Sequence, residues 1–595
     1  MKAISIDWRM LLACFALAAT LLLLRANADS VPLLGDTDDA MRLVQVRDLL
    51  AGQGWYDLVQ HRLDTPFGVE MHWSRLVDLP IAGLILGFAP FIGTAAAESV
   101  AAYLFPFGLL LVALGLSGRL AVRLAGSEAA LPGMLLFAFS VVTFADFPPG
   151  RLDHHSVQLV ILLALVDLTL GAQVRPRLGL AAGGVAALGL AIGLESLPAV
   201  LAAIGSFGLA WVLDRGQGRA LRWFGTGLAT GTAALLLATV SPQRWLVPAC
   251  DALSVVYVAA GVATAALLAV LSWLHVAAPL WRLLAGLGAA AVSAAGLALL
   301  YPECLAGPYA DLDPWLVTHW LSRVEEAQPA LALFANRADF VIAAGLPTLL
   351  GLGFALWMAT AAPSGGRERW VTMALFLLVA VAVTLMQARA ARLGAALAPA
   401  VGGALVATAR AGYLRHRRPA DLAVLLGGWV GFAGMVLALA AGSVSGLAAP
   451  SGESTGRASA FGADDCLRPQ AYTALAALPP GRLMAPIDLG AHLLAFTAHE
   501  VVGAPYHRAQ GGLRDTLRFF GSSGNEAREI VRRRGLAWLV LCPALADDGV
   551  PPDVGPDAGP DALGRRLARE DLPDWLSEQA LPGSPLRLFA IAPDS

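Results

Sequence analysis

The residues in this 595-residue chain best equipped for chemistry are acids and histidines gathered at a few points. Asp36-Thr37-Asp38-Asp39 places three carboxylates in one short turn. Hard divalent cations such as Mg2+ and Mn2+ prefer carboxylate oxygens. The same run also suits the cap of a helix beginning near Ala40, because Asp is a favoured N-cap. Gly150-Arg151-Leu152-Asp153-His154-His155 is denser in ligating groups, since Asp153, His154 and His155 could all bind a metal. A helix-start cap with interfacial histidines is its plainer reading. Glu325 and Glu326, in Val324-Glu325-Glu326-Ala327-Gln328-Pro329, form an acidic pair of a kind that is commonly solvated. Glu195 stands between two apolar runs. Arg389 and Arg392 open a late apolar run, where a guanidinium fork suits a phosphate and snorkelling to lipid headgroups is the alternative. No Walker-type loop, dinucleotide fingerprint or Gly-x-Ser-x-Gly elbow is present. Nucleotide energy is therefore not expected as a direct input, and no nucleic-acid partner is expected.

The elements that must position these residues are membrane helices. The chain is 57% hydrophobic and 14% charged, against about 25% charged in a soluble domain. Apolar runs long enough to cross a bilayer, about 20 residues each, recur near 9–25, 98–118, 128–145, 156–172, 178–194, 197–213, 221–240, 251–273, 280–300, 339–361, 370–387, 392–411 and 421–447. With the N-terminus inside, Arg119, Arg123, Arg175, Arg177, Arg215, Arg219, Arg367, Arg369 and the 415–418 cluster all fall inside, as the positive-inside rule requires. An odd span count then puts the C-terminal region outside. The run 79–93 is bracketed by Pro80 and Pro90. Counted as a span it would invert the charge pattern, so it reads as an interfacial or re-entrant helix. Ala26-Asn27-Ala28 mimics a signal-peptide cleavage site, but a retained first span fits the topology better. The 62 glycines read first as close-packing positions between helices.

The expected organisation is a transmembrane domain at 1–448 with long external loops at 26–97 and 301–338. A linker at 449–460 and an outer domain at 461–595 follow. Loops of that length are usually functional or disordered, and these carry Trp, Tyr and carboxylates. Strand candidates at 482–487, 500–503, 537–541 and 586–591 alternate with helical pieces near 489–497, 512–520 and 525–534, which predicts a small α/β layer domain. Of the five cysteines, Cys14 lies in the first span. Cys250, Cys304, Cys466 and Cys542 fall outside, where an oxidising compartment would permit a Cys466–Cys542 bridge.

In order and position, these motifs resemble the catalytic subunit of oligosaccharyltransferase, in the C-type glycosyltransferase superfamily. The likeness covers roughly residues 1–450. Asp38, followed by Arg47-Asp48-Leu49-Leu50-Ala51-Gly52, matches the family's first Asp motif, with Asp36 as the alternative. Gly150 to His155 occupies the place of its second motif. Glu326 falls on the glutamate of the late external loop, and Arg392-Leu393 with Pro399 resembles its Arg-Leu motif. The resemblance implies a polytopic α-helical fold with a C-terminal extracytoplasmic domain. It also implies metal-dependent, inverting transfer from a polyprenyl-phosphate-linked sugar donor to a protein, lipid or glycan acceptor. Asp38, Asp153, His155 and Glu326 would form the metal and catalytic set, and Arg392 with Arg389 would hold the donor phosphate. Asp36, Asp39, His154, Glu195 and Glu325 are the further candidates.

Two departures stand out. His155 replaces the family's second acid, which suits Mn2+ better than Mg2+. The acceptor-reading Trp-Trp-Asp is missing, leaving Asp488 in Pro486-Ile487-Asp488, and His507 and Arg508, as the acceptor-side residues. The expected location is a bacterial inner membrane, N-terminus cytoplasmic and C-terminal domain periplasmic. A lipid-linked-sugar flippase and a noncatalytic protein of this fold are the competing readings. The acids cluster on one face rather than lining a mid-bilayer path, which weighs against transport.

Overall fold

The computed structural model describes residues 6–28, 32–334, 337–363, 366–448, 463–545, 550–555 and 558–592. The expected linker at 449–460 lies outside them. The bundle helices are α1 (Trp8–Ala28), α2 (Thr37–Leu50), α3 (Arg75–Ile92), α4 (Thr94–Ala125), α5 (Ala130–Ala138), α6 (Val141–Asp146), α7 (His155–Ala172), α8 (Leu178–Ile192) and α9 (Leu197–Leu213). They continue as α10 (Gly218–Thr239), α11 (Val255–Trp273), α12 (Pro279–Leu300), α13 (Ala338–Ala361), α14 (Arg367–Met386), α15 (Ala391–His416), α16 (Pro419–Phe432) and α17 (Gly434–Ala448). Among the described residues, ten helices are long and apolar enough to cross a membrane, or eleven if the α16–α17 pair, bent by 77°, is one span. The protein is therefore a multi-pass membrane protein.

The span list differs from the sequence reading in detail. The run at 128–145 breaks into α5 and α6, and α8 is a shorter apolar helix. The run at 79–93 belongs to the continuous 18-residue α3, which has the length and hydropathy of a span despite its two prolines. Gly93, at φ 80°, turns the chain from α3 into α4.

Small residues let helices close up where the sequence suggested. A side chain on Gly183 would strike the Phe224 carbonyl of α10, and one on Gly227 the Leu180 carbonyl of α8. Close backbone approach of this kind is how helices associate in lipid. At the far end of α7, buried Asp167 joins Arg119 (2.9 Å) and Arg123 (2.6 Å) of α4.

The C-terminal region is a five-stranded sheet in the order β4-β3-β5-β7-β6. It follows a two-stranded hairpin, β1 (Val59–Gln60) and β2 (Val69–Glu70), in the first long loop. The sheet strands are β3 (Arg482–Met484), β4 (Glu500–Val501), β5 (Trp538–Leu541), β6 (Leu576–Gln579) and β7 (Arg587–Ile591). β3 runs parallel to β4 and β5, while β7 is antiparallel to β5 and β6. Helices α18 (Ile487–Phe496), α19 (Gln510–Gly521) and α20 (Gly524–Arg534) complete the layer. The sequence pattern located four of these strands and these three helices; it missed β6 and the short helices Thr473–Ala476 and Leu563–Ala568.

This unit is fused to the first loop rather than hung from the bundle. Leu63 pairs with Val501. Arg62 donates to the carbonyls of Thr497 (2.9 Å) and Leu494 (3.0 Å), and Arg534 reaches the Asp64 carboxylate at 2.6 Å. One apolar core runs from Ala40, Met41 and Val44 of α2 through Trp73 to Leu489 and Leu493 of α18. Cys466 pairs with Cys542, and Cys250 with Cys304. The second bridge joins the α10–α11 loop to the loop after α12 and was not foreseen. Cys14 is buried and free.

Candidate functional site

The site is built on the loop between α6 and α7. Gly150 has φ 92°, a backbone conformation that L side chains rarely adopt. A Cβ there would collide with the Leu33 carbonyl, and its N–H donates to the Ala102 carbonyl at 2.8 Å. This glycine lets the loop press against the segment between α1 and α2. Asp36 caps α2, accepting the Asp38 N–H at 2.9 Å, and receives Arg151 Nη1 at 2.6 Å. Buried Asp39 accepts the N–H groups of Leu152 (2.8 Å) and Asp153 (2.9 Å) through one oxygen, and its other oxygen lies 3.2 Å from Arg151. Asp36 and Asp39 thus brace the 150–155 loop. Asp38, between them, lines two cavities. Burial, Asp153 and Asp36 hold its carboxyl well above the usual range.

Asp153, His154 and His155 each bring a ligating atom within 4.8 Å of the others. His154 is occupied: its Nδ1 contacts the Asp153 carboxylate and its Nε2 lies 4.0 Å from Glu195. Burial disfavours its charge, but those two carboxylates prevail and push it up to about 10. His154 accordingly bridges two acids. His155 is differently placed. Its Nε2 is 3.3 Å from Asp153 Oδ2, and its Nδ1 is 3.1 Å from Gln158 Oε1. An imidazole held through one nitrogen presents the other as a ligand. Asp153 Oδ2 is buried and, though Arg151 also lies 3.5 Å away, has no hydrogen-bond partner among the described residues. That orphaned oxygen, His155 Nε2 and the raised Asp38 carboxyl together suit a divalent cation.

Opposite this cluster, Arg392 at the start of α15 lies 3.5 Å from Glu326 and 3.6 Å from Asp146. Arg389 sits 3.8 Å from Glu326 and 3.9 Å from Glu195. Glu195 also accepts the Gln158 amide at 2.9 Å. Glu325 points elsewhere, to an exposed pair with Arg337 at 3.4 Å.

Two cavities meet here, sharing Asp38, His155, Glu326 and Arg392. One, of about 410 Å³, continues between α7, α8 and α9 over Leu159, Leu162, Leu190 and Val200. The other, of about 440 Å³, is polar and faces the C-terminal unit through Asp488 and Asp553. Burial and Asp488 push Asp553 well above the carboxylate range. The three acceptor-side candidates are not brought together. Asp488 borders the polar cavity, while His507 borders the apolar one. His507 (2.8 Å) and Arg508 (2.6 and 2.8 Å) both bind Asp251 of the α10–α11 loop. Sequence reasoning passed over Asp251 because its only signal is the neighbouring Cys250. It also left Asp146 and Arg151 out of the site, though Asp146 is a buried acid at a helix end and Arg151 lies inside the second motif.

Searches by sequence match no family model and no curated protein. Solved structures do match. An oligosaccharyltransferase from Archaeoglobus fulgidus, in the apo form, superposes with a TM-score of 0.65 over 90% of this chain and 70% of its own, at 12% identity. The fold is that of an oligosaccharyltransferase. A structure of the archaeal oligosaccharyltransferase AglB from the same organism, in complex with an inhibitory peptide and a dolichol-phosphate, matches with a TM-score of 0.64. It covers 98% of this chain and 74% of its own, at 11% identity. A further A. fulgidus oligosaccharyltransferase structure, complexed with Zn and sulfate, gives 0.59 at 12% identity over 98% and 73%. The oligosaccharyltransferase-like fold thus extends over bundle and C-terminal unit alike.

Proposed function

We propose that this protein is an inverting membrane glycosyltransferase. It moves a sugar or oligosaccharide from a polyprenyl-phosphate-linked donor to an acceptor, on the periplasmic face of a bacterial inner membrane. The observation that carries this reading is the junction of an apolar cavity and a polar cavity, whose shared lining includes the four chemically active residues Asp38, His155, Glu326 and Arg392. A donor with a lipid tail and an acceptor need separate approaches to one reacting centre. Solved structures of this fold include complexes with a dolichol-phosphate and with a tethered acceptor peptide containing an NVT sequon, which supports the same division.

In this reading the donor lipid follows the apolar cavity, and Arg392 and Arg389 hold its phosphate. The acceptor enters beside Asp488 and attacks the anomeric carbon from the side opposite the phosphate. The new glycosidic bond forms as the sugar–phosphate bond breaks, and its electron pair leaves with the phosphate. Asp38 or Glu326 takes the acceptor proton. Asp38, Asp153 and His155, with Glu326 nearby, would hold a divalent cation, Mn2+ or Mg2+, which would supply charge neutralisation for the leaving phosphate. Fixed positioning and leaving-group stabilisation supply most of the rate.

The test is glycan transfer in membrane vesicles by Asp38→Asn and Asp153→Asn, each checked for folding by thermal unfolding. Transfer should fall at least about a hundredfold, as for loss of a group that stabilises transition-state charge. Undiminished transfer by folded variants refutes the mechanism. Metal-independent movement of the intact lipid-linked sugar would establish a flippase instead. Intact-glycan mass spectrometry of wild-type and deletion strains identifies the acceptor as protein, lipid or polysaccharide.

A further inference from the structure

Asp146, the last residue of α6, has no part in the reading above. Its side chain is 0% exposed, and neither carboxylate oxygen has a hydrogen-bond partner among the described residues. A buried carboxylate left without partners is costly. The cation facing it is Arg392, whose Nε stands 3.6 Å from Oδ1. The other nearby cation, Arg151, is engaged by Asp36 at 2.6 Å, Asp39 at 3.2 Å and Asp153 at 3.5 Å. Arg392 divides its fork. Nε turns to Asp146, Nη2 lies 3.5 Å from Glu326, and Nη1 is buried with no hydrogen-bond partner among the described residues. The geometry between α6 and α15 is fixed, because Ser140 Oγ, at the start of α6, donates to the Ala395 carbonyl at 3.1 Å. Ala395 lies one helical turn beyond Arg392.

We infer that Asp146 is a positioning residue that anchors Arg392 by Nε, so that the guanidinium is held in the wall of the two cavities where it would meet the phosphate of the donor. The inference rests on the donor reading above. A guanidinium binds phosphate best with two parallel N–H groups in a fixed plane. Asp146 fixes that plane from the side away from the ligand. Glu326 alone would leave the guanidinium free to turn about its single remaining contact.

The sign of the effect separates this role from a merely electrostatic one. As a bystander charge, Asp146 would repel phosphate, and removing it would tighten binding. As an anchor, removing it weakens binding. The experiment uses full-length protein in lipid nanodiscs with Mn2+, titrated with undecaprenyl phosphate, for wild type, Asp146→Asn, Arg392→Gln and the double variant. Arg392→Gln should weaken binding about tenfold or more, as for loss of a charged hydrogen-bond partner. Asp146→Asn should weaken it in the same direction, and the double variant should bind no worse than Arg392→Gln, because the anchor has nothing left to hold. Asp146→Glu, which keeps the charge but shifts it by one methylene, should also weaken binding and serves if Asp146→Asn does not fold. Wild-type or tighter binding by Asp146→Asn or Asp146→Glu overturns the inference, and so do additive losses in the double variant. Failure of the wild type to bind undecaprenyl phosphate refutes the donor reading itself and the inference with it.

Discussion

Replacing Asp39 by alanine should damage the site without removing any group that touches a substrate. Asp39 is 1% exposed, and one of its oxygens accepts the N–H groups of both Leu152 and Asp153. Its removal strands two backbone donors in a buried loop, each costing about 1–3 kcal/mol. It also takes one of three carboxylates from Arg151. The local cost is therefore about 2–6 kcal/mol before relaxation. Because one of the two donors is the Asp153 N–H itself and the other belongs to the preceding residue, the loop should relax by moving Asp153. Loss of such a support typically lowers metal affinity by about 10–100-fold. The assay is Mn2+ binding to purified protein in detergent, read by isothermal titration calorimetry, with thermal unfolding measured in parallel. Asp39→Ala should bind Mn2+ at least about tenfold more weakly than wild type, with a lower melting temperature. Unchanged Mn2+ affinity would refute the assignment of Asp39 as the brace of the Asp153 loop.

Gly150→Ala should abolish transfer and lower the melting temperature, because the new Cβ meets the Leu33 carbonyl at a positive φ; a near-wild-type melting curve would contradict the structure. Replacing Cys250 and Cys304 together by serine opens a link across a 54-residue separation. The chain-entropy model gives about 4 kcal/mol for a loop of that size, an upper bound for a chain whose spans stay in lipid, and calorimetric melting of the double variant measures it. Asp251 provides a pH test: burial alone would raise its carboxyl, but hydrogen bonds from Arg508 and His507 outweigh that and hold it well below the usual range. Its folded value lies below the unfolded value of about 3.9, so this stabilisation is complete above that pH and is lost as pH falls through the acid range. The melting temperature of Asp251→Asn should therefore fall less steeply than that of wild type on acidification below about pH 4. Glu325→Ala should leave transfer near wild type because its pair with Arg337 is exposed, whereas Glu326→Ala, beside Arg389 and Arg392, should reduce it at least about tenfold.

What the sequence determined on its own was solvent and order. Long apolar runs and the arginines between them settle that the chain lives in lipid, because backbone groups in a bilayer must be satisfied within helices. The alternation at 482–591 specified the C-terminal layer because strand and helix periods differ locally. Motif order pointed to Asp38, Asp153, His155, Glu326 and Arg392, and the fold sets four of them, Asp38, His155, Glu326 and Arg392, in the walls of both cavities. Division of labour among neighbours was decided only in three dimensions. Asp38 and Asp39 are adjacent and chemically identical, yet one faces the cavities and the other holds a loop 113 residues away. His154 and His155 part in the same way, toward Glu195 and toward Asp153 with Gln158. Glu325 and Glu326 turn to solvent and to the arginines respectively. Successive residues at a helix start or in a short turn point in different directions, and which direction meets a partner depends on elements far away in sequence. The Cys250–Cys304 bridge, the Asp251 clasp on His507 and Arg508, and Asp146 behind Arg392 are of the same kind. Each is a pairing across more than fifty residues, and no local pattern of residue types encodes its partner.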